Sequence, residues 1–295
     1  MLITRDGLPE ALAGWHADLT RYRARLDRIN TLPVPDHDTG TNLLATAAEL
    51  LAAAGPAAGP AGGVAGGLRG GRESLGGYDT FGNSGMLVGA WLDGAAAVLD
   101  VPVPPGELAH AAAAEVELAI AAPQPGLFLD YAVRAASRLA EADAGADGDA
   151  APAVTDDLRM LLIETAAAAP GLRQRADSGS VGLYFLLRRL LGAGPQAADE
   201  VLFEPWPGEA PAGGRVDHEL AEFLFTVQGA GRGEVLSLLH GLGMDSVMLG
   251  RGPHGGIRVH CHGPGRLATA LAGSLGGCGT VRDFRAGPVY AEVQR

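Results

Sequence analysis

Leu8, Leu12, Trp15, Leu19, Tyr22, Leu26 and Ile29 recur in steps of four and three, which sets seven apolar side chains on one stripe of a helix. The pattern predicts a packed helix ending just before residue 30, its stripe belonging to a core. Similar periodicity predicts helices over about 42–54, 85–98, 106–121, 127–142, 154–169 and 181–192. Glycine and proline punctuate the gaps. The Ala/Gly/Pro/Asp-rich stretches 55–72 and 143–153 read as flexible connections. No strand pattern precedes about residue 199, so the first 195 or so residues read as an all-α bundle with its loops clustered.

Past the Pro/Gly-rich segment from Pro205 to Gly214 the period changes. Leu220 to Val227 reads as a strand, 231–242 as a helix, Ser246 to Leu249 and Gly256 to His262 as strands, 264–274 as a helix and 279–285 as a closing strand. The order β-α-β-β-α-β is that of the ferredoxin-like motif. The expected architecture is therefore multidomain: an all-α helical domain over 1–198, a linker over 199–214, and an α+β ferredoxin-like domain over 215–295.

A chain of 295 residues exceeds the usual domain size of roughly 100–150 and fits two domains. Its net charge of −12 gives no electrostatic footprint for nucleic acid or an anionic membrane surface, so protein or small-molecule partners are expected. No charged-plus-apolar leader opens the chain, and no apolar run approaches the roughly 20 residues that span a bilayer. The expected location is the cytoplasm, where Cys261 and Cys278 stay thiols. The abundance of Ala and Gly is read as compositional.

Candidate chemistry begins in the thirteen residues Asn30 to Asn42, where Asp36 and Asp38 stand one residue apart between Pro33 and Pro35 and a Gly/Asn-containing exit. Prolines pre-order the entry, so the carboxylates lose less entropy on binding a cation. Paired carboxylates are oxygen ligands of the kind Mg²⁺ takes in small number, leaving its other positions to water and phosphates. The alternative is a helix-capping turn with Asp38 or Thr39 as N-cap. Gly82-Asn83-Ser84-Gly85 opens the apolar run from Met86 to Leu92; small residues ahead of a helix let N–H groups approach an anion, and ATP phosphates would fit there. An ordinary loop-to-helix turn would look the same.

Asn30, Pro33, Val34, Pro35, Asp36, Asp38, Thr39, Gly40, Thr41 and Asn42 together resemble the nucleotide-binding domain shared by the dihydroxyacetone kinase L subunit and the bacterial fatty acid kinases. Gly82 to Gly85 follows in the family's order, as does Asp177-Ser178-Gly179-Ser180-Val181-Gly182-Leu183. The resemblance implies a helical barrel in which Asp36, Asp38 and Asn30 hold two Mg²⁺ ions against ATP, with Asp36 and Asp38 catalytic. It implies that Thr39, Gly40, Asn42, Gly82, Asn83, Ser84, Gly85, Asp177 and Gly179 contact the nucleotide. The chain departs from the pattern at His37, at Leu127 in place of a threonine, at Ser180 in place of a glycine, and at Thr80-Phe81 in place of Ala-Arg. If position 37 needs φ > 0, His is permitted there.

Residues 215–295 resemble the fatty acid kinase middle domain. His260 and His262, two apart on a predicted strand, share one face and are zinc-ligand types. The relatives' pattern implies a cysteine partner where this chain has Leu220. His218 is the substitute, and without a third ligand the pair reads as surface histidines. The implied activity is that of a shortened fatty acid kinase relative, an ATP- and Mg-dependent kinase (a phosphotransferase) acting on an acyl carboxylate presented by a partner protein. The alternatives are a dihydroxyacetone-kinase-like phosphoryl donor subunit and a catalytically weak nucleotide-binding scaffold. Homo-oligomers are compatible with each.

Overall fold

A computed structural model describes residues 1–32, 37–53, 82–145, 151–207, 219–252 and 255–288. The apolar stripe of the first helix, α1 (Leu8–Ile29), is buried along its whole length. It is followed by α2 (Thr39–Ala53), α3 (Gly82–Val98), α4 (Pro105–Ala119), α5 (Phe128–Gly145), α6 (Ala151–Ala166) and α7 (Ser178–Leu190). Helices α2, α3, α6 and α7 begin at 39, 82, 151 and 178, ahead of the 42, 85, 154 and 181 expected from apolar periodicity. The opening turns of α2, α3 and α7 are Thr-Gly-Thr, Gly-Asn-Ser and Ser-Gly-Ser, which carry no hydrophobic signal to mark them.

Consecutive helices pack on one another from α1 to α7, and α7 also meets α1, α2 and α5. Every residue of α7 except Arg189 is buried. Close approach explains part of the Ala and Gly content read as compositional: a Cβ at Gly94 would strike Ala111 and Ala112, and one at Gly106 would strike Ala140. Ala109, Ala112, Ala135 and Ala136 are buried between the same helices.

The last turn of α7 carries a charge into this core. Arg188, fully buried, donates to Asp18 of α1 at 2.6 Å and to Asp199, while Arg189 forks onto Asp18 at 2.7 and 2.8 Å. Asp199 also accepts from the Tyr184 hydroxyl at 2.9 Å and from the Gln196 amide. It lies in a 3₁₀ helix, Ala197–Phe203, whose Leu202 is buried, so the stretch expected to act as a linker from 199 opens as part of the helical core. Residues 208–214, with the connections expected at 55–72 and the centre of 143–153, lie outside the described residues; α5 reaches Gly145 and α6 starts at Ala151.

The remaining elements are β1 (Leu220–Gln228), α8 (Arg232–Gly241), β2 (Asp245–Arg251), β3 (Ile257–Pro264), α9 (Ala268–Cys278) and β4 (Thr280–Pro288), the element order expected from the sequence. The strands form one antiparallel sheet in the order β2-β3-β1-β4. Ala221, Phe223, Phe225, Val227, Val259 and Cys261 alternate onto one face and pack with Val235 and Leu239 of α8 and Leu271 and Leu275 of α9. The opposite face carries Glu222, Met248, His260 and His262 toward the helices. There Met248 clusters with Met86 and Ala119 and bridges Ile120, and the Ala121 amide donates to the Val247 carbonyl at 3.3 Å.

Two bulges interrupt the ladders. One adds a residue to β2 between Asp245 and Met248, with Ser246 at φ 49°; the other adds one to β4 opposite Leu224 to Thr226, with Asp283 at φ 55°.

The Arg188→Met variant is expected to lose about 3–5 kcal/mol of unfolding free energy, because it leaves the Asp199 carboxylate buried without a cation. Urea titration followed by circular dichroism checks this, and a loss under about 1 kcal/mol would mean that hydrogen bonds from Tyr184 and Gln196 suffice.

Candidate functional site

A cavity of about 290 Å³ lies between the helices and the β2 end of the sheet. Asn30 and Leu32 reach it from the end of α1, Asp38 and Thr39 from the start of α2, Asn83 and Ser84 from the first turn of α3, and Asp177, Ser178 and Gly179 from the start of α7. Three motifs spread over about 150 residues of sequence thus open on one space. Met244, Asp245, Ser246, Val247 and Met248 supply the facing wall, with Ile120, Leu127 and Phe128 as apolar floor. The β2 bulge sits in that wall, where the extra residue turns Ser246 and Val247 out of simple alternation.

The loop after α1 is tied down from below. Asp27 accepts from the Thr41 amide at 2.9 Å and the Thr41 hydroxyl at 3.0 Å, which staples the end of α1 to the start of α2. Burial pushes the Asp27 carboxyl up, and the Thr41 hydrogen bonds oppose that shift. His37 has φ 58°, the left-handed conformation considered for it, and its Nδ1 donates to the Asp27 carbonyl at 3.1 Å. Asp36 lies outside the described residues. Asp38 is half-buried, and its carbonyl accepts from the Asn42 amide at 2.8 Å.

Across the cavity Asp177 caps α7, its Oδ2 accepting from the Ser180 amide at 2.9 Å and the Ser180 hydroxyl at 2.8 Å. Ser180, where the resemblance implies a glycine, therefore completes the cap. Burial raises the Asp177 carboxyl above its usual range, with both Ser180 hydrogen bonds acting against it. Ser178 donates to Thr39 Oγ1 at 3.2 Å, which joins the starts of α2 and α7. Ser84 Oγ is buried and finds no hydrogen-bond partner among the described residues.

Other expected site residues are brought near the cavity without lining it. Gly40 is pressed against the Arg23 carbonyl and Leu26 of α1, so its missing side chain serves helix packing. Gly82 has φ 60°, and a Cβ there would run into the Asn42 amide; the two residues fit together behind the cavity wall. Gly85 is buried in the first turn of α3. Sequence reasoning missed Asp27, Ser178 and the β2 wall. Ser178 stood inside a recognised motif, whereas Asp27 and β2 carried no local signal.

No family model matches the chain, and no curated protein matches it.

His260 and His262 are each 1% exposed, which corrects the expectation of surface histidines in the absence of metal. Their rings stand edge to face with centroids 4.9 Å apart. His260 Nδ1 meets Asn83 Oδ1 of α3, and its Nε2 meets Glu222 Oε1 of β1. Burial raises the Glu222 carboxyl, but the His260 hydrogen bond and the charge of the two imidazoles outweigh it and hold the group below its usual range. Cys261 points to the other face, where burial pushes its thiol up to about 12. Among the described residues no three His, Cys, Asp or Glu side chains are placed to hold a metal ion; His218 lies outside them.

Burial, reinforced by His260, pushes His262 down to about 3 from the usual 6.5, with Glu222 acting in the opposite sense. Between these values the unfolded chain binds the extra proton, so the stability His262 contributes is complete above pH 6.5 and is lost as pH falls toward 3. Relative to wild type, His262→Leu is expected to flatten the pH dependence of unfolding free energy across this window by roughly 1 kcal/mol per pH unit. Urea titrations at several pH values check it; an unchanged slope would mean that the imidazole takes up protons in the folded state.

Proposed function

We propose that the chain is an ATP- and Mg-dependent phosphotransferase of the dihydroxyacetone kinase L type, resembling fatty acid kinase, with its nucleotide site in this cavity. The observation that carries the reading is the meeting of Asp38, Asn83-Ser84 and Asp177-Ser178-Gly179 around one space. The helices are read as the family's barrel and the β-α-β-β-α-β unit, with strand order β2-β3-β1-β4, as ferredoxin-like.

The charge of the lining bears on the ligand. Asp38, Asp177 and Asp245 line the cavity, its described lining includes no arginine, and the chain contains no lysine. A polyphosphate there would depend on the starts of α3 and α7, where N–H groups and partial positive charge are concentrated, and on a divalent cation. The donor set suits Mg²⁺: Asp38 and Asn30 are hard oxygen ligands at the cavity, with Asp36 as the further ligand expected from the sequence. Magnesium would supply neutralisation of phosphate charge. The chain's residues orient the phosphates and, through the apolar floor at Leu127 and Phe128, limit water. At about 290 Å³ the space is at the lower end of small-molecule sites, about 300–1,000 Å³.

The acceptor of the main reading is an acyl carboxylate presented by a partner protein. Because the described lining is acidic, a partner that brings countercharge for that carboxylate suits it. The same acidity favours a second reading, transfer to a neutral hydroxyl of a small hydroxy-ketone held by another chain.

Calorimetric titration of Mg·ATP tests the site. Asp38→Asn is expected to bind at least tenfold more weakly, about 1.4 kcal/mol, while keeping the helical circular dichroism spectrum. Gly273→Ala, which meets no neighbour within 4 Å, serves as the control with unchanged affinity. Equal affinity in wild type and Asp38→Asn would remove the assignment. Phosphate transfer to a protein-bound acyl chain or to a hydroxy-ketone then separates the two acceptors.

A further inference from the structure

Asn83 belongs to two parts of the molecule at once. It lines the cavity from the first turn of α3, and its side-chain oxygen is taken up by His260 of β3, which in turn engages Glu222 of β1. The Glu222 carboxylate and the Asn83 amide oxygen both accept, so both ring nitrogens of His260 donate, which is the hydrogen bonding of an imidazolium paired with the Glu222 carboxylate. The ring has little room to turn. It is 1% exposed, and the His262 ring stands edge-on against it at 4.9 Å. Glu222 and His260 sit on neighbouring strands whose register is fixed by the pairs Glu222↔His262 and Leu224↔His260.

An amide is planar, with its oxygen and its NH₂ on opposite branches of one carbon. Fixing the oxygen toward the sheet therefore fixes where the two N–H donors go. We propose that Glu222 and His260 are positioning residues that hold the Asn83 oxygen against the sheet and turn its NH₂ into the cavity. The face offered to a ligand is then all donor. Beside carboxylates such as Asp38 and Asp177, which can only accept when ionised, such a donor face takes an acceptor oxygen of the ligand, such as a phosphoryl oxygen whose charge an accompanying cation offsets. The sheet, contributing no motif to the nucleotide site by sequence, sets the polarity of the turn at its centre. The orientation of the amide rests on His260 donating from both ring nitrogens; its effect on nucleotide affinity rests on the proposed function.

Four variants, one of them double, test this with two separate readouts. Asn83→Asp keeps an oxygen for His260 and removes the NH₂, whereas Asn83→Ala removes both. Urea unfolding of Asn83→Asp is expected at a midpoint equal to or above that of wild type, with Asn83→Ala below it. If Asn83→Asp is destabilised as much as Asn83→Ala, the nitrogen faces His260 and the proposal is overturned, whether or not nucleotide binds. In calorimetry with Mg·ATP, Asn83→Asp and His260→Ala are each expected to weaken binding about tenfold, the worth of a hydrogen bond to a charged group. Removing His260 in the Asn83→Ala background should cost no further affinity. An equal further loss there would show that His260 acts independently of Asn83 and would overturn its positioning role. A wild type that binds no Mg·ATP would instead defeat the nucleotide reading, and the urea comparison would still decide how the amide is held.

Discussion

A guanidinium with no exposure to water, Arg188 in the last turn of α7, is the constraint around which the helical part is arranged. Burial alone would lower its pKa, but Asp18 and Asp199 outweigh that and keep the cation. Those carboxylates come from α1 and from the 3₁₀ helix after α7, so satisfying one buried charge fixes three segments in register. Two aspartates and two arginines share the site, which leaves it neutral. Such a network adds little over a well-packed apolar alternative. What it imposes is position, since α7 cannot slide or turn without stranding a charge.

The other end of α7 shows what that position demands. A helix buried nearly all round has opening N–H groups that water cannot reach freely, and each must find an acceptor. Asp177 takes the Ser180 amide, and the rest of the first turn faces the cavity. The same holds for α3, whose start meets the cavity on one side and the sheet on the other. The polar character of the cavity thus follows from burying helix ends, and carboxylates at those ends are held at a desolvation cost. A space built this way is prepared for a ligand that accepts hydrogen bonds and brings cations with it.

Much of this was legible in the sequence, for reasons that differ by residue. The α1 stripe was readable because a helix repeats its buried positions every three or four residues, and all seven of those residues are buried. The β-α-β-β-α-β order was readable because Phe223, Phe225 and Val227 alternate with residues of the other face. The three cavity motifs were singled out by their resemblance, in order along the chain, to a nucleotide-binding pattern; glycine and aspartate at helix starts would alone read equally as caps and turns. Asp18, Arg188 and Asp199 were not, since a charge on an apolar helix gives no hint of partners about 170 residues away. Nor was the β2 wall: Asp245 and Ser246 reach the cavity through a bulge, and a bulge is set by how the sheet seats on α3 and α4, not by alternation within β2. His260 and His262 were misread as surface residues because nothing local marks the outer face of β3 as covered, whereas the burial of His260 against Asn83 depends on a contact between distant segments.

The bulge in β4 has a consequence of another kind. A sheet has two outer strands, each with a row of backbone donors and acceptors that a strand from another molecule can pair with. On the β2 side the chain itself covers the middle of that row, where Ile120 bridges Met248 and the Ala121 amide donates to the Val247 carbonyl. On the β4 side the extra residue at Asp283 breaks the straight run of amides, and Arg282, Asp283 and Arg285 place charge along it. An incoming strand would meet a kink and would have to desolvate charges to extend the ladder. The sheet is in this way partly covered on one border by its own chain and kinked and charged on the other, so neither described border offers a long, straight template to a strand from another copy.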